Sequence, residues 1–197
     1  MVKFTNSEKQ RKKGDKNMEE DGSRVTKVCS FYVNDWHLTT MILPYIKRTK
    51  EDSEVLTILE NGIKDKVEEL ISKMNLNPIT QNKILSTNWT GNPLCKYSDI
   101  KLQIESIPND IKQINVIISG TKQYIEIANK NIQKAIESVK GKRVTIINCY
   151  ETTNYKEINE ILDKHDFVMN TSGIKNIEDV FTDYKRTNNN GSKNAIK

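Results

Sequence analysis

The sequence has two histidines and three cysteines among its 197 residues, so it offers few candidates for a histidine base or a thiol nucleophile. None of these five residues lies at the close spacings of structural zinc motifs, so we expect no bound metal. Cys29 and Cys149 fall inside apolar runs, where a free cysteine behaves as a small buried hydrophobe. The alternative is an enzyme that uses Cys29 or Cys149 as nucleophile and a histidine as base.

Aromatic and polar side chains gather where the apolar runs of this sequence end. Such a mixture suits a small-molecule pocket that has an apolar body and a few polar groups for orientation. The carboxyl ends of parallel strands meet at one edge of an α/β sheet, and ligands bind there. The predicted ligand-binding residues at this edge are Tyr32, Asn34, Asp35, Trp36, His37, Trp89, Ser119, Gly120, Tyr150, Glu151 and His165.

A possible anion site is the run Ser119-Gly120-Thr121-Lys122, which places backbone N–H groups and a lysine at a predicted helix N-terminus. A plain helix cap with a tight turn fits the same run. No phosphate-loop motif and no dinucleotide-binding glycine motif occurs in the sequence, so we expect no nucleotide cofactor. His165 follows a short predicted helix, where it either interacts with the last carbonyl groups or lines a pocket.

The elements that position these residues are apolar strands alternating with amphipathic helices. This alternation predicts a single three-layer α/β domain with a mostly parallel sheet and helices on both faces, either RecA/KaiC-like or Rossmann-like. The predicted strands cover residues 25–33, 54–59, 84–88, 115–118, 143–150 and 167–170. The predicted helices cover residues 35–46 with a bend at Pro44, 63–74, 99–106, 121–140, a short helix starting at Asn154 with Glu157 as capping partner, and 176–184.

The two ends of the chain differ in composition from the periodic region between them. We expect residues 1–23 to form a disordered arm, with Met18 a candidate internal start, residues 24–186 to form the domain, and residues 187–197 to form a disordered tail. The net charge is +5, yet lysine and glutamate alternate along the helices as on solvated faces. Nucleic-acid binding through the basic run Lys9–Lys16 is therefore an alternative and not the first expectation.

Localisation can also be predicted from the sequence. No apolar run approaches the roughly 20 residues that span a bilayer, and no apolar segment near Met1 resembles a secretion signal. Three cysteines cannot all pair within the chain, which favours reduced thiols. We therefore expect a cytoplasmic protein that is not embedded in a membrane.

Four short segments resemble the MEDS domain, a sensory domain found in regulators of methanogens and methylotrophs. Their order and rough spacing agree with the family, and the resemblance covers about residues 25–180. Lys27 stands where the family usually has histidine, and Asp166 where it has proline. The segments are Val28-Cys29-Ser30-Phe31-Tyr32, Ile42-Leu43-Pro44-Tyr45-Ile46, Ile147-Asn148-Cys149-Tyr150-Glu151 and Ile161-Leu162-Asp163-Lys164-His165.

The resemblance implies a RecA/KaiC-like core without an intact phosphate loop, and a role in sensing small hydrocarbon derivatives. Members of the family often sit beside a DNA-binding or histidine kinase module, which implies that the signal passes to a protein partner or through a homo-oligomer. The resulting expectation is a non-catalytic, cytoplasmic regulatory module that binds a small, partly apolar ligand.

Overall fold

The computed structural model describes residues 25–139, 141–151 and 158–186. Numbered along the chain, the strands are β1 (Val25–Tyr32), β2 (Ser53–Leu59), β3 (Gln113–Gly120), β4 (Arg143–Glu151), β5 (Phe167–Asn170) and β6 (Gly173–Asn176). The helices are α1 (Asp35–Arg48), α2 (Lys64–Lys73), α3 (Pro78–Ser86), α4 (Tyr97–Glu105), α5 (Lys122–Ile136), α6 (Ile158–Leu162) and α7 (Ile177–Val180).

A six-stranded sheet in the order β2-β3-β4-β1-β5-β6 organises these elements. The neighbouring strands are parallel except for the antiparallel pair of β5 and β6. β1 comes first along the chain but lies inside the sheet between β4 and β5, whereas β2 lies at one edge. The predicted mostly parallel sheet is confirmed.

Helices cover both faces of the sheet, and each face has its own apolar cluster. One cluster packs α4, α5, α6 and α7 against the sheet through residues such as Ile104, Ile125 and Leu162. The other packs α1, α2 and α3 through residues such as Ile42 and Val67. Alternate residues of each strand point to opposite faces, so both faces need apolar side chains. The predicted three-layer α/β domain is confirmed.

Local sequence signals explain where the helices begin. α1 starts after Asn34, whose side chain accepts a hydrogen bond from the His37 N–H at 2.9 Å. Pro44 lies inside α1 without ending it, because the helix continues to Arg48. α5 starts after Thr121, whose hydroxyl accepts a hydrogen bond from the Tyr124 N–H at 3.3 Å. Such polar caps satisfy N–H groups that lack a partner within the helix.

The predicted strand at residues 84–88 was wrong. These residues form the end of α3 and the loop that follows it. Asn77 caps α3 by accepting the Thr80 N–H at 2.8 Å, and Pro78 is its first residue. Proline is favoured at this position because its missing N–H would have no helical partner there.

The predicted helix at residues 176–184 is shorter than expected, because α7 covers only Ile177–Val180 and the unpredicted strand β6 precedes it. The predicted capping pair Asn154 and Glu157 lies outside the described residues, as do the arm at residues 1–23 and the tail at residues 187–197.

Candidate functional site

The first group of predicted site residues lies at the start of α1. Asn34 and Asp35 are exposed, and Asn34 caps the helix. Trp36 is 38% exposed, and the amino groups of Lys66 and Lys73 on α2 lie 5.7 and 5.8 Å from the centre of its ring. These distances are within the range of cation–π attraction. Trp36 therefore joins α1 to α2 at the surface.

A second group is buried under α1, α2 and α3. The phenol oxygen of Tyr32 accepts a hydrogen bond from the Ser119 hydroxyl at 3.0 Å, and burial raises the pKa of Tyr32 to about 12. The indole N–H of Trp89 donates to the Ile84 carbonyl at 2.8 Å. Tyr150 belongs to the apolar cluster on the opposite face. The sheet therefore separates Tyr32 and Trp89 from Tyr150.

The N-terminus of α5, predicted as a possible anion site, already contacts a carboxylate of the protein. The Thr121 N–H donates to Oε2 of Glu60 at 2.6 Å, and Glu60 directly follows β2. A Cβ atom on Gly120 would lie 2.6 Å from the same oxygen, so glycine is needed for this close approach. The Glu60 carboxylate therefore binds a free N–H group at the start of α5, in addition to the cap that the Thr121 hydroxyl provides.

A cleft with a volume of about 230 Å³ lies on the other face of the sheet, between α5 and the end of α6. We call it the α5–α6 cleft. Its α5 residues repeat at the three- and four-residue spacing of one helix face, and its floor comes from β1 and β4. The lining residues are Lys27, Lys122, Glu126, Asn129, Lys130, Gln133, Asn148, Tyr150, Ile161, Lys164 and His165.

A chain of hydrogen bonds runs along the floor of the α5–α6 cleft. The Asn129 amide nitrogen donates to the Ile125 carbonyl at 2.9 Å and to Oδ1 of Asn148 at 3.0 Å. The Asn148 amide nitrogen lies 2.8 Å from Nε2 of His165, and Nδ1 of His165 lies 2.6 Å from the Ile161 carbonyl. Only the neutral tautomer with a proton on Nδ1 makes every one of these contacts a hydrogen bond.

His165 is 5% exposed, and burial is the largest cause that holds its pKa below the usual value. The bond from Nδ1 to the Ile161 carbonyl opposes this effect. Lys27 and Lys164 lower the pKa further, and Asp166 raises it. His165 is therefore neutral near pH 7, in agreement with the tautomer that the hydrogen bonds require.

Ion pairs between described residues cross the mouth of the α5–α6 cleft. Lys122 on α5 lies 3.1 Å from a carboxylate oxygen of Glu160 on α6, and Glu126 lies 3.8 Å from the amino group of Lys164. All four side chains are at least one-third exposed, so each pair contributes little stability. A charged molecule that enters the cleft can compete with these pairs.

The surroundings of the three cysteines disfavour a nucleophilic thiolate. All three are buried and free. Burial raises the pKa of Cys29 to about 12, although its hydrogen bond to the backbone lowers it in part. Burial likewise raises the pKa of Cys149 and of Cys95. A nucleophilic cysteine needs an accessible thiolate, which these surroundings disfavour.

Residues 25–139, 141–151 and 158–186 contain no group of three or more His, Cys, Asp or Glu side chains that could hold a metal ion. Within the same ranges, no helix combines the length and the apolar character needed to cross a membrane.

Only two of the predicted site residues, Tyr150 and His165, line the α5–α6 cleft together. His37 is half-buried in the first turn of α1, and Glu151 is exposed at the end of β4. Sequence reasoning missed Asn129 and Asn148. The available signal was Asn148 inside the apolar run Ile146–Cys149, because a buried polar group in a strand needs a partner.

No model of a known protein family matches this sequence, and no curated protein matches it. The resemblance of four segments to the MEDS domain therefore stays a prediction.

Proposed function

We propose that this protein is a non-catalytic, cytoplasmic regulatory module that binds a small, partly apolar ligand in the α5–α6 cleft. The observation that carries the proposal is the buried polar chain from Asn129 through Asn148 to His165 in the floor of a cleft whose walls include Tyr150 and Ile161. Ligand sites combine apolar walls with a few positioned polar groups. The volume of about 230 Å³ lies below the roughly 300–1,000 Å³ typical of drug-sized ligands, which favours a smaller molecule.

The resemblance to the MEDS domain is part of the proposal and indicates a sensory role. The two positions that depart from that family lie beside the cleft and contact each other. The Lys27 N–H donates to the Asp166 carboxylate at 2.9 Å, and the Asp166 N–H donates to the Lys27 carbonyl at 2.8 Å. Lys27 also lines the cleft. We therefore expect a ligand whose chemistry differs from that of ligands sensed by other family members.

The thiols of Cys29, Cys95 and Cys149 support both the non-catalytic and the cytoplasmic parts of the proposal. A Cys nucleophile is disfavoured because burial raises the pKa of each thiol. Three free cysteines suit a reducing compartment. A change in the cleft would reach another molecule through the domain surface, so the proposal includes a protein partner or a second copy of the chain.

Thermal unfolding with a panel of small molecules tests this function. We expect some compounds to raise the melting temperature, since a ligand that binds only the folded state stabilises it. Mass spectrometry should show that these compounds are not converted. Gln133→Trp, which places a large side chain on an exposed lining residue, should abolish the stabilisation. The matched control is Gln123→Trp, at an exposed residue of α5 outside the cleft.

Two results would contradict the proposal. Equal stabilisation of the wild type and of Gln133→Trp would show that the ligand binds outside the α5–α6 cleft. Chemical conversion of a bound compound would show that the protein is an enzyme. The output is tested separately by measuring the oligomeric state with and without a stabilising compound.

A further inference from the structure

The α5–α6 cleft carries an excess of positive charge. It contains four lysines from β1, α5 and the turn after α6, namely Lys27, Lys122, Lys130 and Lys164, against Glu126 among the described lining residues and Glu160, which pairs with Lys122 at the mouth. A concave site lined by one sign of charge concentrates counter-ions. The volume of about 230 Å³ equals the share of roughly eight water molecules at about 30 Å³ each. With Tyr150 and Ile161 as apolar walls, these features fit a small organic anion.

Further titratable and charged groups surround His165. The guanidinium of Arg186 donates to the His165 carbonyl at 3.1 Å, and the Asp166 carboxylate follows in the chain. The ring of Tyr150 packs edge-on with its centre 5.9 Å from that of His165. Burial first, and then Lys27 and Lys164, disfavour a positive charge on the imidazole, so the free cleft keeps His165 neutral. An anion in the cleft would oppose this preference, because it favours the charged form of the imidazole.

The hydrogen-bond chain gives protonation a structural consequence. An imidazolium donates from both ring nitrogens, so Asn148 must turn its carbonyl oxygen toward Nε2 of His165. The Asn148 amino group would then face Asn129, whose amide must turn as well and lose its bond to the Ile125 carbonyl. The Asn129 amino group would then take the position now held by Oδ1 of the same side chain. That oxygen is buried and has no hydrogen-bond partner in the described part of the chain. Protonation of His165 therefore rearranges the hydrogen bonds of both asparagines.

We propose that the α5–α6 cleft binds a small organic carboxylate and that binding takes up one proton from solvent at His165. The carboxylate offsets the charge of the lysines beside His165, so the bound state favours imidazolium. By linkage, the affinity for the carboxylate rises as the pH falls. This inference rests on the proposed function, because it names the ligand class and the regulation of the same cleft.

Calorimetric titration with propionate and benzoate tests the inference, with propionamide and benzamide as neutral isosteres. Both carboxylates stay largely ionised above about pH 5.5, since carboxyl groups titrate near 4. Titrations in buffers of different ionisation enthalpy count the protons taken up. We expect carboxylate affinity to rise, by at most about tenfold for each unit of pH decrease, and the amides to bind more weakly at every pH.

Nuclear magnetic resonance of the wild type provides a second measurement, because the chain has only two histidines. The titration of the His165 imidazole should move to higher pH when benzoate is added. His37→Gln assigns the two signals. His165→Gln, if it folds, should still bind benzoate but without pH dependence, and if it does not fold the wild-type titration decides.

A pair of lysines on α5 tests the location. Lys130 lines the α5–α6 cleft, and the exposed Lys134 lies one turn further along the same helix outside it. Lys130→Gln should weaken benzoate binding by about two- to fivefold, the range for one exposed charge pair, and Lys134→Gln should not.

Several outcomes would overturn the inference. These are carboxylate affinity that does not change with pH, release of protons on binding, amides that bind as tightly as carboxylates, and failure of both carboxylates to bind at millimolar concentrations. Amides that bind equally well, with binding lost in Gln133→Trp, would leave the proposed function intact. The proposed function fails on its own test, when stabilisation by every compound is equal in wild type and Gln133→Trp or when a bound compound is converted.

Discussion

Removal of the Glu60 carboxylate should destabilise the protein through the N-terminus of α5. In the structure, Oε2 of Glu60 accepts the Thr121 N–H at 2.6 Å, whereas the contact of Oε1 with the Thr121 hydroxyl is a long 3.4 Å. Only the first contact has the geometry of a strong hydrogen bond. We therefore assign the effect to one charge-assisted bond at a helix N-terminus.

The expected magnitude follows from that single bond. A hydrogen bond to a charged group contributes about 1.5–3 kcal/mol when buried, and a charge at a helix N-terminus about 0.3–1 kcal/mol. Because the Glu60 contact is open to solvent, we expect Glu60→Ala to lower the free energy of unfolding by about 1–2 kcal/mol. For a protein of this size the melting temperature should then fall by about 2–8 °C. Glu60→Gln keeps an acceptor oxygen and should lose about half as much.

Urea unfolding of Glu60→Ala and Glu60→Gln measures these values, with Glu68→Ala as the matched control. Glu68 pairs with Lys64 at 3.6 Å on the exposed side of α2, and its loss should cost at most about 0.5 kcal/mol. Sulfate should stabilise Glu60→Ala more than the wild type, because a helix N-terminus without its carboxylate can bind an anion. The reasoning is refuted if Glu60→Ala costs no more than Glu68→Ala.

Three further predictions concern buried groups. Iodoacetamide should modify Cys149 at least about 100-fold more slowly in the native protein than in urea, because burial raises the pKa of its thiol, and a fast native reaction would contradict this. The stability of the free wild type should fall relative to His165→Gln as the pH drops below about 6.5, by at most about 1.4 kcal/mol per pH unit, because burial lowers the pKa of His165 and the unfolded chain takes up the proton first. Equal pH dependence of the two proteins would count against it. Trp89→Phe should cost about 1–3 kcal/mol in urea unfolding because the Ile84 carbonyl loses its donor, whereas Trp36→Phe should cost about 0.5–1 kcal/mol, and the reverse order would show that the two roles are misassigned.

The strands could be predicted because their apolar runs are short, rich in Val and Ile, and bounded by polar residues. The run Ile84–Leu85 was ambiguous, since a short apolar run fits a strand or a buried helix segment equally well. Here Asn77 and Pro78 decided in favour of a helix. Periodicity therefore predicted the sheet, while the capping residues were needed for α3.

The candidate site was less predictable, because its contacts join distant parts of the chain. In the sequence, Asn129 is a polar residue of a predicted helix and Asn148 a polar residue of a predicted strand. Only the packing of α5 over β4 brings their amides together. The same holds for Glu60, whose partner Thr121 lies 61 positions away. A strand-end site was a sound expectation from the topology, but side chains on opposite faces of a sheet cannot share one pocket.

The interior position of β1 has a consequence for how the chain is synthesised. Its two neighbours in the sheet, β4 and β5, come late in the sequence, so β1 leaves the ribosome long before either partner exists. Until then Val28 and Cys29, which end fully buried, have no strand beside them. Parallel pairing over such sequence distances is slow, and unpaired strand edges promote aggregation. Nascent chains arrested before residue 143 should therefore depend on chaperones, whereas chains that extend past residue 170 contain both partners of β1.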